Sequence, residues 1–376
     1  MKTRFTNRIL FSIIILTTFS NYSCGANLYI SDKNSGNEVL TAQKINTSLN
    51  YSEKKLGSFF ENGKTVFRLF TPNAVKVVLH TFKNADNINS QSYEMIRDED
   101  GVWETKLDGE LNGIYYGYKV YHKNDDLKND NLPLCVDPYA KAVATFTTFM
   151  NPRKSIVYEK DYDWQNDQWI QRDWRDLIIY EMHLRDMTAH SSSGSDYPGT
   201  YKGLIQKGKT GGIDYIKNLG VNTVELLPAQ EFANMEIPFK DSLAGKFNTW
   251  NPYERNHWGY MTAAFFAPAA YYSEDWKSFQ RNVWMGTTGK QVHDFKDMVK
   301  AFHKENIAVI MDVVFNHLSE YEIGNLKQID KEYYFRLDEK GNFIAESYCG
   351  NDLKTEAPMM RRLIIDSILH WMKEYH

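Results

Sequence analysis

Between residues 54 and 148 apolar and polar side chains alternate with a period of two. The runs TVFRLF (65–70), VKVVLHTF (75–82), SYEMIR (92–97), VWETKL (102–107) and IYYGYKVYH (114–122) are rich in β-branched and aromatic residues. They are broken by TPNA, DEDG and ELNG, which carry turn chemistry. Short strands at this spacing predict an antiparallel β-sandwich over 51–150. After Trp164 the rhythm changes. LIIYEMHL (177–184) reads as a strand, GGIDYIKNLG (211–220) as a short amphipathic helix and VNTVELLP (221–228) as a second strand. A long loop follows, which includes Glu231 as a solvated or rim residue. VHDFKDMVKAFHKEN (292–306) then has apolar positions at helical spacing, and IAVIMDVVF (307–315) reads as a third strand. Thr355 is the expected N-cap of a helix from Glu356 onward. Apolar strands alternating with helices imply a parallel sheet covered by helices, assigned to 165–376.

The first residues have a different pattern. Lys2, Arg4 and Arg8 precede a short apolar stretch, 9–19, and then NYSCG. That stretch is shorter than the ~20 residues a membrane-spanning helix needs, and it fits an export signal. Cys24 after a small residue resembles a bacterial lipoprotein cleavage site. The resemblance implies a signal peptide over 1–24, lipidation of Cys24 and a membrane-anchored protein at the outer membrane or cell surface. Residues 25–50, rich in Asn, Ser and Lys, read as a flexible tether. Cys135 and Cys349 fall in different predicted domains, so no disulfide framework is expected. A formal net charge of −4 gives no basic footprint and argues against a nucleic-acid partner. The aromatic share of 14% fits flat apolar surfaces, which suit sugar rings as well as cores.

Functional groups of a parallel α/β domain gather at the C-terminal ends of its strands. The third strand ends in Asp312, Asn316 and His317, a carboxylate, an amide and an imidazole after an apolar run. DVVFNH (312–317) matches the first signature of the α-amylase superfamily, glycoside hydrolase family thirteen. NHWGYMTAAFFAP (256–268) resembles the tyrosine-bearing loop after the second barrel strand of that superfamily. LIIYEMHLRDMT resembles the first strand of its pullulanases and isoamylases. VDPYAKA (136–142) resembles the junction after their N-terminal module, and the segment from Tyr348 to the end resembles the approach to their fourth strand. The predicted sandwich resembles the immunoglobulin-like starch-binding module, carbohydrate-binding family forty-eight. The fold implied is multidomain, a β-sandwich followed by the first part of a (β/α)8 TIM barrel, about three βα units.

The same resemblance implies roles. Asp312 would help organise the catalytic site, His317 would hydrogen-bond sugar hydroxyls, and Tyr260 would stack beneath the sugar, with Trp258 beside it. Asn316 is a calcium ligand in calcium-dependent relatives; Ca²⁺ takes several more oxygens than one amide, and no cofactor is required by the chemistry. The activity implied is hydrolysis of α-1,6 bonds in starch, glycogen or pullulan, with retention of configuration. That mechanism needs two carboxylates ~5–5.5 Å apart. The family's nucleophile motif, of Gly-Phe-Arg-Phe-Asp type, and its acid/base Glu have no counterpart in these residues. The chain is therefore read as an N-terminal part expected to be inactive alone, and Glu181, Asp186, Glu225 and Glu231 are not assigned to catalysis. RNHWGYMT lacks the Asp-Pro that follows Trp-Gly-Tyr in many pullulanases, so linkage preference stays open. An α-1,4-acting amylase, a branching enzyme and a non-catalytic glycan-binding surface lipoprotein are the alternatives.

Overall fold

The computed structural model describes residues 51–149, 151–234, 256–274, 282–320 and 322–376. Cys24 and the tether lie outside the described residues. The sandwich is built from β1 (Gly57–Glu61), β2 (Lys64–Phe70), β3 (Lys76–Phe82), β4 (Gln91–Glu94), β5 (Ile96–Arg97), β6 (Val102–Asp108), β7 (Tyr115–Tyr121), β8 (Val143–Phe146) and β9 (Arg153–Ile156). One antiparallel sheet has the order β1-β2-β6-β5; the other runs β8-β9-β7-β3-β4. Asn62 and Gly63 close the β1–β2 hairpin with φ of 52° and 72°, the left-handed pair that a two-residue turn needs to match strand twist. The inner faces meet in a core of Phe67, Leu69, Phe70, Val77, Leu79, Tyr116 and Tyr118. Tyr116 and Tyr118 bury their hydroxyls by donating to Asp137 at 2.8 and 3.1 Å. Burial pushes that carboxyl up to about 6.

The second half carries a three-stranded parallel sheet of β10 (Ile179–Met182), β11 (Thr223–Leu226) and β15 (Ala308–Met311), in that order. Their register places Met182, Leu226 and Met311 side by side at the C-terminal edge. Short helices α1 (Asp186–Ala189), α2 (Tyr201–Leu204) and α3 (Ile213–Asn218) follow β10. Helix α4 (Lys290–Lys304) precedes β15. It buries Val292, Phe295, Met298, Val299 and Phe302, one face at helical spacing. Asn306, at φ 59°, reverses the chain into β15. Helices α5 (Leu326–Tyr334) and α6 (Pro358–Tyr375) complete the described elements. Among the described residues no helix is long and apolar enough to cross a membrane.

Several expectations need correction. β12 (Gln230–Phe232) pairs antiparallel with β13 (Thr262–Pro268), a fully buried strand in a segment read as loop. Glu231 lies in β12 with no exposed surface, so it is neither solvated nor a rim residue. The sandwich sheet runs past residue 150 through β9, and its β8 edge is extended by β14 (Trp284–Met285) from the second half. Helix α6 starts at Pro358, with Ala357 as N-cap; Thr355 does not cap it. Proline at the first helical position lacks an N–H that would be unsatisfied there, so it sets the start two residues later than the expected Glu356.

The two halves share their cores. Phe265, Phe266, Leu318, Tyr333, Tyr334 and Met360 pack in one cluster with the sandwich residues Phe67, Phe70 and Tyr116. Buried Arg153 of β9 joins them electrostatically. Its Nε donates to Glu231 Oε1 at 3.1 Å, its Nη2 to the Phe232 carbonyl at 2.8 Å, and its Nη1 to Glu322. Burial pushes the Glu322 carboxyl up to about 7, against the pull of Arg153.

Candidate functional site

The C-terminal edge of the parallel sheet presents two polar groups in the first residues beyond the strands. Backbone pairing continues one step past β11 and β15, with Leu227 N–H donating to Met182 O at 3.0 Å and Asp312 N–H to Leu226 O at 2.9 Å. His183 follows β10 and Asp312 follows β15, so both project at the mouth of the sheet.

The segment 256–260 is slung between these strands. His183 Nε2 donates to the His257 carbonyl at 2.7 Å, and His317 Nε2 donates to the Tyr260 carbonyl at 2.7 Å. Each end of the segment is thus held by a buried imidazole. Gly259 makes the bend possible. It has φ 81°, and a Cβ there would stand 2.8 Å from the Pro228 carbonyl. The result exposes two aromatic rings at the mouth, Trp258 at 56% and Tyr260 at 38%. The Tyr260 hydroxyl donates to Asp312 Oδ2 at 2.6 Å, which fixes the tilt of the ring. Partial burial and the adjacent Asp312 charge hold that phenol above its ordinary value.

Burial holds both imidazoles below the ordinary histidine value, with the neighbouring His257 adding to the effect at His183. A neutral imidazole whose Nε2 donates to a carbonyl keeps its Nδ1 lone pair. In His317 that second nitrogen lies 3.1 Å from the Asn316 side-chain amide, whose NH₂ group is the end able to donate to a bare ring nitrogen. Exposed Asn316 offers a single side-chain amide oxygen, one of the six to eight oxygens that calcium takes.

Two carboxylates that sequence reasoning set aside belong to this edge. Glu181 and Glu225 are register partners on neighbouring strands. Burial, Glu181 and Asp312 together raise the Glu225 carboxyl. Their common register on parallel strands was the available signal, once the strands were aligned. His183, Asp186 and His257 form a further cluster that the sequence did not reveal, because 74 positions separate the two histidines. Tyr260, Asp312 and His317 are brought together by direct bonds, with Trp258 two positions from Tyr260.

Comparison with known proteins supplies the family. Residues 51–140 match carbohydrate-binding module 48 (isoamylase N-terminal domain), and residues 161–351 match the α-amylase catalytic domain. Isoamylase 1, chloroplastic, of Arabidopsis thaliana is 31% identical over 334 residues, which cover 82% of this chain and 40% of the isoamylase. The pullulanase of Bacillus subtilis (strain 168) is 30% identical over 342 residues, covering 87% of this chain and 42% of that enzyme. Among solved structures, a pullulanase from Paenibacillus barengoltzii superposes with a TM-score of 0.72 at 27% identity, over 89% of this chain and 49% of its own. The chain thus spans less than half the length of these relatives. With its β-sandwich module joined to parallel strands that end in DVVFNH, the chain belongs to the α-amylase family.

Proposed function

We propose that this chain forms the sandwich module and the substrate-supporting edge of a debranching glycosidase that hydrolyses α-1,6 bonds in α-glucans. The observation that carries this reading is the exposed pair Trp258 and Tyr260, held open at the mouth of the parallel sheet by Asp312, His183 and His317. An aromatic face with a polar rim matches the apolar face and hydroxyl rim of a glucose ring. The similar Paenibacillus structure is a complex with maltohexaose and α-cyclodextrin, which supports α-glucan as the ligand here. Retention would proceed through a covalent glycosyl-enzyme intermediate formed by a carboxylate nucleophile, with a second carboxyl as acid and then base. We assign neither role to a residue of this chain. Asp312 orients Tyr260, Tyr260 and Trp258 carry the sugar, and His317 is a positioning residue. The full-length enzyme should release maltotriose from pullulan, the product of cutting only α-1,6 bonds. Cleavage confined to α-1,4 bonds of amylose would contradict the linkage assigned.

Export and anchoring through a lipid on Cys24 belong to the same reading, supported by Lys2, Arg4 and Arg8 and the apolar stretch after them. Cys24→Ala should abolish labelling by a fatty-acid probe and release the protein from membranes. Unchanged labelling would contradict it.

A further inference from the structure

His183 holds one end of the segment that carries the sugar platform, and with Asp186 and His257 it forms a cluster whose geometry has the form of a metal site. Their ligand atoms all lie within 4.8 Å of one another, and among the described residues they are the group of three that could hold a metal ion. Asp186 Oδ1 lies 3.1 Å from His257 Nε2 and 3.5 Å from His183 Nδ1. Ligands at about 2.0–2.2 Å from a tetrahedral zinc ion stand about 3.3–3.5 Å apart. Two edges of such a tetrahedron are thus already close to formed.

The tautomer of the buried histidine points the same way. His183 Nε2 donates to the His257 carbonyl at 2.7 Å, with the Tyr272 hydroxyl 3.2 Å away. Its Nδ1 is then the bare nitrogen, and it accepts from the Asp186 N–H at a long 3.3 Å. An imidazole that gives one N–H to a backbone carbonyl and leaves its other nitrogen bare is the arrangement seen in ligating histidines. The two imidazoles stack with centroids 4.1 Å apart and planes tilted by 27°. Stacked imidazoles cannot both carry charge cheaply; His257 Nε2 now donates to Asp186 Oδ2 at 3.2 Å, and an ion would take the place of that proton between the same atoms. Two nitrogens and one carboxylate suit a first-row transition ion better than calcium or magnesium, which prefer oxygen.

We propose that His183 Nδ1, His257 Nε2 and the Asp186 carboxylate form a binding site for a divalent transition ion of the zinc class, with the fourth position open to water. The ion would tie the end of β10 to the segment that carries Trp258 and Tyr260, stiffening the platform from the side opposite Asp312.

The test is a calorimetric titration of the metal-stripped full chain with Zn²⁺ alone at neutral pH. One site should appear, and His257→Ala and Asp186→Ala should each weaken it about tenfold or more. Both side chains are about half exposed, so these variants should keep the fold, checked by circular dichroism. Titration with Co²⁺ gives a readout independent of any activity. The visible absorption of four-coordinate cobalt should appear in the wild type and vanish in His257→Ala. Zinc should also raise the melting temperature of the wild type and leave that of the variant unmoved. Equal zinc affinity in wild type and both variants, or a wild type that gives no four-coordinate cobalt spectrum, would overturn the proposal.

Discussion

Tyr260 is held at two points by groups of different kind, and the two can be separated by substitution. Its hydroxyl donates to Asp312 and its carbonyl accepts from His317. Tyr260→Phe keeps the ring and loses the bond to a carboxylate, about 1.5 kcal/mol or about tenfold in affinity for maltohexaose. His317→Ala leaves the Tyr260 carbonyl without its donor and should weaken the same binding. His317→Gln can restore an N–H near that carbonyl and should recover most of the loss. A glutamine variant as weak as the alanine one would instead place the imidazole on the sugar. The sequence made Asp312, His317 and Tyr260 visible through DVVFNH and WGY. It could not show that His317 spends its Nε2 on the Tyr260 carbonyl, because that depends on the path of 256–260 between two distant strands.

Strands and helices were legible where periodicity was strong and illegible where long-range pairing decided. The alternation of β2, β3, β6 and β7 and the apolar face of α4 are local properties, and they appear in the structure where the pattern predicted them. β12 and β13 are stabilised by each other across about thirty positions, so neither declared itself. Glu231 was misread for the same reason: a carboxylate after a proline and a glutamine looks like loop until Arg153 arrives from β9. That arginine is paired with two buried carboxylates, Glu231 and Glu322. Arg153→Ala leaves both uncompensated and should lower stability by about 3–5 kcal/mol in urea titration. Adding Glu231→Gln and Glu322→Gln to that variant should recover a large part of the loss. No recovery would show that the arginine acts by packing and not by charge.

Sandwich and parallel sheet belong to one unit, Asn46–His376, and their buried titratable groups act on the same folding equilibrium. His80 and His370 are lowered to about 4, His80 by burial and Lys119, His370 by burial first of all. Unfolded histidine titrates near 6.5, so between about 6.5 and 4 the unfolded chain binds more protons at these two sites. Their contribution is complete above that window and is lost as pH falls through it. Glu322, raised to about 7, and Asp137, raised to about 6, work the other way. Their folded forms hold more protons than the unfolded ones below those values, so acid relieves their penalty. Shifts of similar size and opposite sign make the joint contribution of these four groups nearly flat between about pH 6.5 and 4.5. His370→Gln keeps a donor for the Phe266 carbonyl and removes one of the acid-sensitive groups. Its melting temperature relative to wild type should rise as pH falls across that range. A constant offset at every pH would contradict this balance.

The central claim is that the edge of the parallel sheet presents Trp258 and Tyr260 as a platform for α-glucan. Calorimetric titration with maltohexaose, on the wild type and on the double variant Trp258→Ala, Tyr260→Ala, tests it most directly. Both rings are partly exposed, so the variant should melt close to wild type. The account predicts weak binding by the wild type, since a shallow platform covers little of the ligand. It predicts at least a tenfold loss, or one binding event fewer, in the variant. Identical isotherms for the two proteins would contradict it and leave the aromatic pair without a ligand.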